Sequence, residues 1–90
     1  MQVNFTKVIH FTRLIKAGGR LREFNFRKLR GLEQEMFTVD TVDDRGNRIL
    51  FRMIKENNQW TILQQILPGW IAESELKLNE AIEDELQRSE

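Results

Sequence analysis

The apolar residues change period at Pro68-Gly69, and that switch constrains the fold more than any other feature of the chain. Before it lie three runs rich in β-branched and aromatic residues, separated by turn chemistry. In Met36 to Val42, Phe37, Val39 and Thr41 alternate with Thr38 and Asp40. In Ile49 to Lys55, Ile49, Phe51 and Met53 share a face and Arg52 points the other way. Trp60 to Leu67 gives a third run. Asp43-Asp44-Arg45-Gly46-Asn47 and Glu56-Asn57-Asn58-Gln59 supply residues that cap their own backbone or tolerate positive φ, so both read as hairpin connections. Proline then removes a ladder donor and glycine frees the backbone to turn.

After Pro68-Gly69 the spacing becomes helical. Ile71, Leu78, Ile82 and Leu86 fall on one stripe, Ala72 and Leu76 widen it, and Glu73, Glu80 and Asp84 lie opposite. An amphipathic helix over about 70–87 must cover something apolar, and one face of the meander is the large surface on offer.

The first third predicts two more strands. Phe24 and Phe26 share a face within 20–30, and Ala17-Gly18-Gly19 before them reads as a turn. Phe5 to Lys16 is rich in Phe, Val, Ile and Thr, which favours strand, although Val8, Phe11 and Ile15 also fit a helical spacing. The expected fold is therefore α+β: an antiparallel five-stranded meander, with strands at about 4–16, 20–30, 36–43, 48–56 and 60–67, covered by one carboxy-terminal helix.

Ninety residues predict a single domain spanning 1–90. A chain of this length buries only about 60 to 65% of its unfolded surface, which leaves little room for a large internal pocket. With no cysteine, disulfides and thiolate chemistry are excluded. No secretory pattern opens the sequence and no apolar run is long enough to span a bilayer, so a cytoplasmic location and no membrane partner are expected.

Formal net charge is zero, but the charges are segregated. Residues 1–31 carry eight Lys and Arg against Glu23 alone, and the remainder holds the compensating negative charge, much of it on the helix at Glu73, Glu75, Glu80, Glu83, Asp84 and Glu85. Three readings follow. The basic hairpin and the acidic helix neutralise one another within the fold or coat solvated faces. Alternatively, Arg20, Arg22, Arg27, Lys28 and Arg30, beside Phe24 and Phe26, bind single-stranded nucleic acid weakly by phosphate contacts and base stacking. In the third, the basic face of one copy meets the acidic helix of another.

Catalytic constellations are thin. His10 is the one histidine and sits between Ile9 and Phe11, which suits packing or surface better than catalysis. Asp40, Asp43, Asp44 and Gly46 miss the spacing of a calcium loop, the helical carboxylates lack the histidine of a di-iron site, and Gly18-Gly19 lacks the lysine and spacing of a phosphate loop. An enzyme using Asp and Glu as acid and base would need two carboxylates roughly 5 to 10 Å apart in a cleft. Trp60 reads as core, whereas Trp70, beside Pro68-Gly69, is the aromatic most suited to a partner site. The sequence thus predicts a non-enzymatic interaction domain without cofactor, whose partner is a protein, with self-association as one form of that partnership.

Overall fold

The computed structural model describes residues 9–29, 35–63 and 65–88. Five strands, β1 (His10–Ala17), β2 (Arg20–Leu29), β3 (Met36–Val42), β4 (Arg48–Glu56) and β5 (Gln59–Ile62), form one antiparallel sheet in sequence order. Two helices follow, α1 (Gly69–Ala72) and α2 (Glu75–Arg88). This is the expected meander with a carboxy-terminal helix, and the strand reading of the first segment holds from His10 onward. Its expected residues 4–8 lie outside the described ones.

The turns explain the order. Ala17 pairs with Arg20 across Gly18 (φ 62°) and Gly19 (φ 82°), and Glu56 pairs with Gln59 across Asn57 (φ 52°) and Asn58 (φ 64°). Two consecutive left-handed residues match the twist of the flanking strands, which is why glycine and asparagine occupy these positions. The β3–β4 connection is held instead by Asp43, whose carboxylate accepts the N–H groups of Asn47 (2.8 Å) and Arg45 (2.9 Å). Those hydrogen bonds, with Asn47 first, hold the Asp43 carboxyl below its ordinary value.

Alternation then sorts the side chains. The inner face carries Ile15 and Ala17, Phe24 and Phe26, Phe37, Val39 and Thr41, Phe51 and Met53, and Trp60, all buried. Phe26 stands between Phe11 and Val39 in the ladder, stacking on the Phe11 ring at 4.5 Å, and Trp60 meets Phe37 edge-on at 4.9 Å. Ile71, Leu78, Ala81 and Ile82 close this core from the helices.

Three details depart from the sequence reading. β5 ends at Ile62 rather than near 67, although the Leu63 N–H still reaches the Arg52 carbonyl at 2.8 Å. The helix is interrupted at Glu73–Ser74, because the Ser74 hydroxyl donates to the Trp70 carbonyl (2.7 Å) and its N–H to that of Ile71, tightening the turn before α2. Finally, Ala72 and Leu76 do not widen the apolar stripe: both are exposed, Leu76 by 63%.

α2 lies against both edges of the sheet. Its Asn79 and Glu75 side chains accept the otherwise unpaired N–H groups of Trp60 and Ile62, each at 2.7 Å, so the β5 edge is blunted. At the other edge Lys77 Nζ donates to the Lys16 carbonyl (2.8 Å), and Arg13 pairs with Asp84 (2.9 Å) and Glu85 (3.2 Å). Burial works against the Arg13 charge, but the two carboxylates outweigh it and raise its pKa further.

Candidate functional site: the outer sheet face

β2 carries the basic cluster singled out in the sequence, and its alternation disperses that cluster. Arg20 and Arg22 lie at one end and share Asp44, at 2.9 and 3.1 Å. Arg22 is only 8% exposed, its Nε donates to the Ala17 carbonyl (2.8 Å), and its guanidinium sits 3.9 Å from the centre of the Trp70 ring. It is a structural cation that ties α1 to the first hairpin. Trp70 is accordingly half-buried against protein rather than free for a ligand, and a Cβ on Gly18 would meet it at 2.9 Å. Lys28 pairs with Glu35 at the opposite end of the strand (3.2 Å). Arg30 lies outside the described residues.

Arg27 alone of the four described members projects onto the outer face without a carboxylate partner among the described residues. The rings that were to accompany the cluster, Phe24 and Phe26, are fully buried and cannot stack on a base. Every described Phe and Trp side chain on the strands occupies an inward position of the ladder, so among the described residues the outer face offers no phenyl or indole ring for stacking.

What the outer face does offer was not foreseen, because it is assembled across strands. Directly opposed residues form rungs, and one reads His10, Arg27, Thr38, Arg52 from β1 to β4. Arg52, like Arg27, has no carboxylate partner among the described residues. The neighbouring rung reads Thr12, Asn25, Asp40, Leu50 and is cross-linked by side chains. Thr12 donates to Asn25 Oδ1 (2.7 Å), Asn25 to Asp40 Oδ1 (3.0 Å), and Arg48 to Asp40 Oδ2 (3.0 Å). This chain of bonds fixes Asp40 and leaves the next rung's cations facing solvent.

Around these polar rungs lie Leu14 (66% exposed), Leu21 (64%), Val42 and Leu50. An open groove of about 610 Å³ lies over the two rungs, lined by His10, Asn25, Arg27, Thr38, Asp40 and Arg48 among others, with Arg52 and the exposed leucines outside its lining. Cations, hydrogen-bonding groups and exposed aliphatics on a sheet face can recognise a protein segment that combines carboxylates with apolar side chains. Sequence reasoning missed Arg48 and Arg52 because it scored the first third for charge. The available signal was the alternation itself, which placed Arg52 opposite Phe51 and Met53.

The described residues contain no group of three or more His, Asp or Glu placed to hold a metal ion, and no helix among them is long and apolar enough to cross a membrane. Compared with known proteins, the chain matches no family model, no curated protein and no solved structure.

Proposed function

We propose that this chain is a non-enzymatic protein-interaction domain that works in the cytoplasm, and that its contact surface is the outer face of the β-sheet. The observation that carries the reading is the rung His10–Arg27–Thr38–Arg52, in which two arginines have no carboxylate partner among the described residues and exposed Leu50 stands on the neighbouring rung. The inner-face cations support the reading by contrast: Arg13, Arg22 and Lys28 are consumed by Asp84 and Glu85, by Asp44, and by Glu35. The partner this surface suits is an acidic segment carrying aliphatic side chains.

Random peptides displayed on phage and selected on the folded domain test the proposal. Enriched peptides should pair Asp or Glu with Leu, Ile or Val, perturb the amide resonances of the two central rungs, and bind at least about ten times more weakly to the Arg27→Glu/Arg52→Glu variant. No enrichment, or binding indifferent to that double substitution, would remove the proposal. Labelled single-stranded oligonucleotides serve as the control, since nucleic-acid binding by the outer arginines would appear as retention that falls steeply with salt.

A further inference from the structure

Internal ion pairing does not erase the charge segregation; it displaces it to opposite sides of the molecule. The sheet side keeps Arg27 and Arg52. On the far side, the outward stripe of α2 and the turn before it keeps Glu73 and Glu80, both exposed and without a cationic partner among the described residues. Between them stands Leu76, 63% exposed and pointing away from the core that Leu78 and Ile82 fill. We infer that this stripe is the occupant of the outer sheet face: a second copy of the chain docks its Glu73–Leu76–Glu80 stripe across the Arg27–Thr38–Arg52 rung, head to tail.

Arg27 and Arg52 are separated by two strand spacings, about 9.6 Å. Glu80 lies on α2 and Glu73 in the turn before it, on either side of exposed Leu76. A helix laid across the strands, parallel to the rung, brings Glu80 to one arginine and the turn that carries Glu73 towards the other. Leu76 comes down between them, over Thr38 and beside Leu50, itself half exposed on the adjacent rung. The contact uses two different patches, so it is heterologous and repeats from copy to copy rather than closing as a two-fold dimer. Opposite charges on opposite sides of a chain of zero net charge give such a stack a consistent polarity.

The inference rests on the reading of the outer face as a contact surface and names its partner. Sedimentation velocity of the intact chain, from about 20 to 500 μM at about 50 mM salt, should show a mass rising above that of the 10.8 kDa monomer and returning to it at about 500 mM, where screening is strong. Two charge reversals, Arg27→Glu/Arg52→Glu and Glu73→Lys/Glu80→Lys, should each stay monomeric. An equimolar mixture of the two should associate again, because each then presents the complement of the other. All four positions are exposed, and circular dichroism checks that both variants fold. A wild-type chain that stays monomeric throughout, variants that still self-associate, or a mixture that does not recover association would each overturn the inference. If self-association fails while selected peptides still perturb the outer rungs, only the identity of the partner is wrong. If both fail, the contact surface falls with it.

Discussion

Arg22 illustrates how far a side chain's role departs from its residue type. In sequence it is one of several arginines beside phenylalanines; in the fold it lies under the Trp70 ring, bound to the Ala17 carbonyl and Asp44. Lysine keeps the charge but neither the planar stack nor the forked donors. Arg22→Lys should therefore lower stability by about 1 to 3 kcal/mol in denaturant titration, with the Trp70 fluorescence changing in the same transition. Gly18→Ala should be at least as damaging, since its φ of 62° strains any Cβ and that Cβ would strike Trp70. Asp43 makes a prediction in pH. Its folded pKa is lowered, so the order it lends the β3–β4 turn is complete above the pKa of an unfolded aspartate and is lost as pH falls through the lower folded value. The Asn47 amide resonance should report this, with a midpoint below the ordinary 3.8. A midpoint at or above that value would contradict the hydrogen-bonded loop.

At the scale of elements, α2 both completes the core and finishes the sheet edges. Leu78, Ala81 and Ile82 are buried beneath the inner face, while Asn79 and Glu75 accept the two outward N–H groups of β5. Replacing Asn79 by Ala removes an acceptor from the Trp60 backbone, so that amide should exchange with solvent faster and global stability should drop by about 1 to 2 kcal/mol. Hydrogen exchange followed by NMR separates this local effect from general unfolding. Unchanged exchange at Trp60 would mean that water serves the edge as well as Asn79 does. The acidic character of the helix, conspicuous in the sequence, acquires a role here: Glu75 caps a strand, Glu83 receives the Trp60 indole N–H at 2.8 Å, and Asp84 with Glu85 holds Arg13.

For the whole molecule, the two faces of the sheet should respond differently to substitution. Phe26→Ala on the inner face removes a ring stacked on Phe11 in a small core and should cost about 3 to 5 kcal/mol. Arg27→Glu, its neighbour on the outer face, should leave stability within about 0.5 kcal/mol of wild type. Thermal or urea denaturation of both variants measures the contrast. Equal destabilisation would mean that the outer face is not free surface and would weaken its assignment as a contact site.

The strand runs, their turns and the period change at Pro68-Gly69 were legible because they are local: side-chain alternation and backbone preference act over a few residues. The same reasoning found the inward set Phe24, Phe26, Phe37, Val39, Phe51 and Met53, and the helical stripe Ile71, Leu78 and Ile82. It could not place Leu76, because both flanks of an apolar stripe look alike until packing selects one. Nor could it assemble the outer rungs, since Arg27 and Arg52 meet only through the register of three strands. The sequence by itself determined the order of elements and which face of each is apolar. Only the tertiary structure decided which charges are spent inside the fold and which remain outside, because pairing depends on distances between segments far apart in the chain, and no local preference encodes them.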